Sequence, residues 1–231
     1  MKRPLDQLAQ IAQAAVEIGG KIIKSTRPRV VTEKSDRDTY TDVDIRIEHE
    51  IRSYLRQATP EISFVGEEEG YFGESTEGPL WALDPIDGTA NFTHGIPICG
   101  TQLALISSGE PIVSAIYLPF TGGRYWAVKE QGAYSGDGTR LQASETLSLS
   151  QAIVSTGDYA TGAEAEVKNE IRLNATAALA EHVERVRMLG SAAYDLAWVA
   201  DGKIDAAVIL SNRFLDISPG ILIAREAGAH V

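Results

Sequence analysis

Apolar residues recur at helical spacing near the start of the chain: Leu5, Leu8, Ile11, Ala12, Ala15, Ile18 and Ile22. That period predicts an amphipathic helix over about 5 to 25, started by Asp6 or an earlier residue and ended near Arg27-Pro28. A short strand opens at Val30-Val31 and gives way to a polar loop that runs to Asp44. Thr41 is placed to cap a second helix carrying Ile45, Ile47, Ile51 and Leu55. Ile62 to Val65 and the run beginning at Trp81 are short apolar stretches of strand type, with a loop over 71–79 between them. Residues 98–106, 111–118 and 123–128 are rich in β-branched and aromatic residues and are separated by turn-like Ser-Gly and Thr-Gly segments, which predicts an antiparallel meander. A further turn is expected at 132–138 and a short strand at 141–143. The rest alternates: strand 152–156, helix 163–180, strand 183–188, a helix opening at Gly190-Ser191-Ala192-Ala193, strand 204–210, loop 211–215, then a helix begun by Asp216. Paired helices, a meander and alternating strands and helices together predict an α/β layered architecture.

The chemistry concentrates where the first half's apolar run meets acid. Trp81-Ala82-Leu83-Asp84-Pro85-Ile86-Asp87-Gly88-Thr89-Ala90-Asn91-Phe92 begins as a buried strand and is expected to turn at Pro85 and Gly88. Asp84 and Asp87 can converge on one point, with the Ile86 carbonyl between them as a third oxygen, and hard divalent cations take oxygen ligands. If a short helix starts after the turn, the free amides of Gly88, Thr89 and Ala90 suit a phosphate. Asp-Pro-x-Asp-Gly is equally ordinary turn chemistry. The neighbouring Glu67, Glu68 and Glu69 close another apolar run. Two strand ends finishing in carboxylates repel each other unless a cation lies between them.

Gly66-Glu67-Glu68 followed by Trp81-x-x-Asp84-Pro85-Ile86-Asp87-Gly88-Thr89-x-Asn91-Phe92 resembles the inositol monophosphatase family of magnesium-dependent, lithium-sensitive phosphatases. The resemblance extends over nearly the whole chain. It implies an α/β (α+β) sandwich of alternating helical and sheet layers, of the inositol monophosphatase and fructose-1,6-bisphosphatase type. One such domain is expected over 1–231, with helices and sheet to about 145 and an α/β part from about 146.

The resemblance also implies roles. Glu67, Asp84, Asp87, Asp216 and the Ile86 carbonyl would hold two Mg²⁺ ions about 3.5–4 Å apart, with Asp84 bridging and a third, weaker ion near the loop carrying Lys34. Asp44, in a Thr41-x-x-Asp44 element with Glu48, would pair with Thr89 to deprotonate the attacking water, making Asp44, Thr89 and Glu67 the catalytic set. Gly88, Thr89, Gly190, Ser191, Ala192 and Asp216 would contact the substrate. Glu68 would support the ligands from behind, and Glu69 would be exposed. His94 is given no chemistry, and Cys99 lacks a phosphate-cradling loop, so no covalent phosphoenzyme is implied. Without a ligand role, Asp42 and Asp44 are explained as favourable charges in a first helical turn, and Asp216 as a helix cap.

Departures from the family pattern bear on the substrate. Leu215 stands where the family has Trp, and Ser218-Pro219 where it has two small residues; a proline in the first turn is tolerated. The inositol-specific enzymes place a Glu seven residues before the last Asp, where this chain has Ile209. The expected substrate is a small phosphorylated polyol such as inositol 1-phosphate. The same chemistry on histidinol phosphate, fructose 1,6-bisphosphate, adenosine 3′,5′-bisphosphate or NADP is the alternative. The chain ends at Val231, at the start of an expected strand, which predicts an exposed sheet edge.

Composition narrows the remaining classes. With 231 residues and 44% hydrophobic content, the chain can bury a sizeable core. A formal net charge of −11 opposes nonspecific binding to nucleic acid or an anionic membrane. One cysteine excludes an intrachain disulfide, no apolar run is long enough to span a membrane, and Met1 to Asp6 lacks a signal peptide's apolar segment. The expectation is a cytoplasmic protein, a homodimer by the family resemblance, with a small phosphorylated metabolite as its partner. Two other classes remain: a metal-binding but inactive interaction module, and a Ca²⁺-binding acidic protein, which the lack of an Asp-x-Asp-x-Asp-Gly loop disfavours.

Overall fold

The computed structural model describes residues 3–36, 38–73, 78–210 and 213–231. Two long helices come first, α1 (Leu5–Ser25) and α2 (Asp42–Ala58), joined by an antiparallel hairpin of β1 (Val31–Ser35) and β2 (Asp38–Thr41). A seven-stranded sheet follows: β3 (Ser63–Gly66), β4 (Gly70–Phe72), β5 (Leu80–Asp87), then, after the short helix α3 (Thr89–His94), β6 (Gly100–Ser107), β7 (Glu110–Leu118), β8 (Gly123–Val128) and β9 (Gly132–Ser135), in the order β4-β3-β5-β6-β7-β8-β9. The second sheet is built from β10 (Ile153–Thr156), β11 (Arg185–Arg187) and β12 (Ala206–Val208), interleaved with α4 (Ala165–His182) and α5 (Ala192–Ala200). The last element is α6 (Phe214–Glu226).

The layers follow from which face each strand residue presents. In β7, Val113, Ala115 and Tyr117 join the core under α1 and α2, whereas Ile116 and Leu118 join the core with α5 and α6. The alternation is the period-2 pattern of a strand covered on both faces. Beyond α5 lies the parallel three-stranded sheet, and α4 packs against β11. Helix pair, sheet, helix pair, sheet and outer helix therefore alternate through the molecule, the layered sandwich expected from the sequence. The inner helix lies very close to the sheet. A Cβ on Gly20 would come within 1.9 Å of the Tyr117 ring, so α1 can approach only because that position carries no side chain.

Several local expectations are corrected. α1 starts after Pro4 with no side-chain cap, and Asp6 lies in its first turn. The polar stretch after Val31 pairs with itself as β1 and β2; Arg37, at its tip, lies outside the described residues. The loop expected over 71–79 begins as strand β4, and 74–77 lie outside the described residues. Residues 132–135 form β9 rather than a turn, because they pair in register with β8. Residues 141–143 form no strand, though Leu141 is buried and its amide donates to Ala133 O. In the expected loop 211–215, Phe214 and Leu215 already belong to α6, while 211–212 lie outside the described residues. Residues 229–231 form no strand.

Candidate active site

The parallel strands of both sheets end in one cleft. Glu67 follows β3, Asp84 and Asp87 close β5, Gly157 and Asp158 follow β10, Gly190 and Ser191 come after β11, and Ile209 follows β12. All of them line a cavity of about 470 Å3. Open α/β sheets present their ligand crevices at the carboxyl ends of strands, above all where strand order reverses, and the order β11-β10-β12 reverses at β10.

β5 carries the central residues. The turn expected at Pro85 is absent: the strand stays buried through Asp87, with a bulge between Asp84 and Asp87 opposite β6. Thr101 Oγ1 donates to Pro85 O at 2.9 Å across it. Bulges re-aim side chains, and here both carboxylates reach one neutral donor. Gln102 Nε2 lies 3.1 Å from Asp84 Oδ2, 3.2 Å from Asp87 Oδ2 and 2.8 Å from Asp216 O. The chain leaves the strand at Gly88, whose φ of 85° lies in the left-handed region and whose missing Cβ would otherwise meet Ile98 O at 2.9 Å. Gly88, Thr89 and Ala90 line the cleft, and the first amides of a helix have no intrahelical partner.

Carboxylate oxygens of Glu67, Asp84 and Asp216 lie within 4.8 Å of one another. Asp84 Oδ1 is buried with no hydrogen-bond partner among the described residues. Burial, then the charges of Glu67, Asp87 and Asp216, raise the Asp84 carboxyl well above its ordinary range. Burial likewise pushes Asp216 up to about 6. Asp87 lies outside that trio. Its Oδ1 accepts from the Ser191 hydroxyl and, at 3.1 Å, from the Ala193 amide, while burial raises its pKa. Asp216 is not the N-cap of α6. It is the third helical residue, and its Oδ2 accepts from the Arg213 amide at 3.2 Å. Pro219 consequently lies inside the helix, past the first turn, where its missing N–H leaves the Leu215 carbonyl without its helical partner.

Glu67 is held from two sides, by Lys34 Nζ at 2.8 Å and by Arg213 at 3.3 Å. Lys34 also reaches Glu68 Oε1 at 2.5 Å. Burial opposes the Lys34 charge, but its bonds to Glu67 and Glu68 raise its pKa overall. Burial pushes Glu68 up to about 7 despite that ammonium. Glu69 is exposed and pairs with Arg52. Two of the three glutamates are held through their backbone by a fourth. Glu48, buried on α2, accepts from the amides of Glu68 and Glu69, each at 3.0 Å.

Thr41 and Asp44 form a reciprocal capping box at the start of α2. Asp44 is fully buried, and its carboxyl is pushed up to about 6, mainly by that burial. Its second oxygen, Oδ1, lies 3.4 Å from Thr89 Oγ1, which donates more closely to Ile86 O at 2.9 Å. Gly190, Ser191 and Ala192 line the cleft as expected, and Asn91 Nδ2 ties this corner down through Ile98 O and Leu189 O, each at 2.8 Å. His94 is exposed, with Nδ1 3.2 Å from Thr93 Oγ1 and 2.9 Å from Ala90 O. Gln102 and Arg213 are functional neighbours that the sequence reading does not name, whereas Glu48 belongs to the Thr41-x-x-Asp44 element. The available signal for Gln102 was a polar Thr-Gln pair inside an apolar strand.

The profile of the inositol monophosphatase family matches residues 4–231. The chain belongs to that family. A relative from Aquifex aeolicus named fructose-1,6-bisphosphatase/inositol-1-monophosphatase is 33% identical, over 97% of this chain and 84% of its own length. An inositol-1-monophosphatase from Caulobacter vibrioides is 34% identical, over 87% and 78%. Among solved structures, the extragenic suppressor protein suhB of Bartonella henselae superposes with a TM-score of 0.86 at 28% identity, covering 97% of this chain and 84% of the other. Family membership carries the activity class: the chain is a phosphatase of phosphate monoesters.

Proposed function

We propose that this inositol monophosphatase-family chain hydrolyses the phosphate monoester of a small phosphorylated sugar or polyol, with Mg²⁺ held by Glu67, Asp84, Asp87, Asp216 and the Ile86 carbonyl. The observation that carries the reading is the convergence of the Glu67, Asp84 and Asp216 carboxylates, with Asp84 Oδ1 buried and without a hydrogen-bond partner among the described residues. An all-oxygen donor set of this kind suits a hard divalent cation. Bound there, two or three such ions would supply a water of lowered pKa and charge stabilisation for the leaving alkoxide.

The chain's own residues divide the remaining work. Thr89 Oγ1 lies between two acceptors, Ile86 O and Asp44 Oδ1. Turning its hydrogen from the carbonyl to Asp44 leaves the hydroxyl oxygen free to accept a proton from water and frees the carbonyl as a ligand. Asp44, whose affinity for protons is raised by burial, is matched to receiving one near neutral pH. Gly88 and Thr89 at the head of α3, with the Gly190-Ser191-Ala192 corner, orient the phosphate and its leaving group. Ser191 and Ala193 fix the Asp87 carboxylate, and Gln102 spaces Asp84 from Asp87. A cytoplasmic homodimer is the accompanying expectation, on family resemblance.

The test is phosphate release from a panel of monoesters at increasing Mg²⁺, with and without Li⁺. Mg²⁺-dependent, Li⁺-inhibited turnover is expected. Turnover unaffected by chelation would overturn the metal assignment.

A further inference from the structure

Gln102 stands opposite Asp84 in the β5–β6 ladder and is fully buried. The residues after it in the strand, Leu103, Ala104 and Leu105, are apolar and buried too, so packing alone gives no reason for an amide here. A buried amide is destabilising unless its atoms are bonded. Gln102 Oε1 has no hydrogen-bond partner among the described residues. Nε2 has three: Asp84 Oδ2 at 3.1 Å, Asp87 Oδ2 at 3.2 Å and Asp216 O at 2.8 Å. An amide –NH2 carries two hydrogens, so three acceptors share two donors. The opposite orientation of the amide would set Oε1 against three oxygens.

Like charges that meet on one nitrogen repel, and the positive hydrogens of the amide offset part of that repulsion. Neutral donors take up most of this side of the centre. Asp87 Oδ1 accepts from the Ser191 hydroxyl and, at 3.1 Å, from the Ala193 amide. Of the four carboxylate oxygens of Asp84 and Asp87, Asp84 Oδ1 is the one with no hydrogen-bond partner among the described residues. The Glu67 side differs. Its carboxylate is bonded to Lys34 and Arg213, long side chains at the cleft, and Arg213 is half-exposed. Those ends can swing away, whereas Gln102 is confined to a core strand.

We propose that Gln102 competes with divalent cations for Asp84 and Asp87, holding that side of the centre together through its amide and setting how weakly it takes a cation. This rests on the metal-dependent reading and assigns the residue that limits its cation affinity. Gln102 is a positioning residue, acting through Asp84, Asp87 and Asp216. A cation that binds through Asp84 Oδ2 and Asp87 Oδ2 has to take both oxygens from the amide. A hydrogen bond to a charged group is strong enough for its loss to shift binding by roughly 10- to 100-fold.

The test is calorimetric titration of Mg²⁺, without substrate, into the full chain after treatment with chelator, for wild type, Gln102→Ser and Gln102→Asn. Gln102→Ser removes the amide, and Gln102→Asn withdraws it by one methylene. Gln102→Ser should tighten one Mg²⁺-binding event by about 10- to 100-fold, with Gln102→Asn in between. Thermal midpoints give an independent reading. In chelator both variants should melt below wild type, because Asp84 and Asp87 lose their shared donor. Saturating Mg²⁺ should then raise the variants' midpoints by more than that of wild type. A Gln102 that only fills its place in β6 would lower the midpoint equally with and without Mg²⁺ and leave the affinity unchanged, and that result would overturn the proposal. Weaker Mg²⁺ binding by both variants would also overturn it, since Gln102 would then be a cation ligand through Oε1. If Gln102→Ser does not fold in chelator, Gln102→Asn carries the titration. No Mg²⁺ binding by wild type or either variant would overturn the metal reading and this proposal together. Tightened binding without phosphate release from any monoester would sink the hydrolase reading and leave the role of Gln102 standing.

Discussion

Glu48 and Gly66 show how one residue can hold a site without touching a ligand. The Glu48 carboxylate crosses β3 to reach two backbone amides, and it passes where a Cβ on Gly66 would stand, 2.0 Å from Glu48 Cδ. Gly66→Ala is expected to destabilise the fold by about 1–3 kcal/mol, read from the urea midpoint, and to lower activity by displacing Glu67. In the proposed mechanism the Thr89 hydroxyl is the working group, so Thr89→Val should lower kcat by roughly 10²–10⁴-fold and Thr89→Ser should restore most of it. A Val variant as fast as wild type would remove Thr89 from the mechanism. The acidic members of this site were legible in the sequence because a carboxylate is an oxygen donor by residue type alone: Glu67, Asp84 and Asp216 converge, with Asp87 lining the same cleft. Gln102 was not legible. A neutral amide in an apolar strand acquires its meaning only from the register that places it opposite Asp84.

At the scale of elements, local signals failed where tertiary pairing overrode them. β1 alternates between exposed and half-buried residues and offers no apolar face to read, so its pairing with β2 was hidden. β9 begins with a glycine and ends near others, which reads as a turn until β8 supplies a partner. Pro85 reads as a turn signal, yet a bulge lets it sit in a buried strand. The α2 start was legible because Thr41 is a strong cap, and the structure gives that cap a second duty. Asp44 closes the capping box through Oδ2 and faces Thr89 through Oδ1. Asp44→Asn retains an acceptor for the Thr41 amide, so it should cost no more than about 1 kcal/mol of stability. Its phosphatase activity should fall by about 10²-fold or more. Comparable losses in both would mean that Asp44 serves α2 alone.

Across the molecule, the acidic balance has a location. Burial pushes Asp44 and Asp216 up to about 6, and Glu68 and Asp195 up to about 7, all above the ordinary carboxylate range near 4. Between about pH 4 and 7 the folded chain therefore binds more protons than the unfolded chain. Stability from these groups is fully present below the unfolded values and is lost as pH rises through the folded ones. The metal-free protein should melt at least roughly 5 °C lower at pH 8 than at pH 5, and Mg²⁺ should recover most of the difference at pH 8. A midpoint that rises with pH in chelator would contradict that electrostatic picture. β7 contributes side chains to both main cores. We propose that the two parts of the chain unfold together as one domain, in a single calorimetric transition. The measurement that bears most directly on the whole account is the Mg²⁺ dependence of phosphate release by the chain and by Asp84→Asn, since Asp84 Oδ1 is buried with no hydrogen-bond partner among the described residues. Saturable activation by Mg²⁺, abolition by chelator and a loss of roughly 10³-fold in a folded Asp84→Asn are predicted. Release that ignores Mg²⁺, or a variant that keeps the wild-type rate, would contradict the assignment of this cleft as a metal-dependent phosphatase centre.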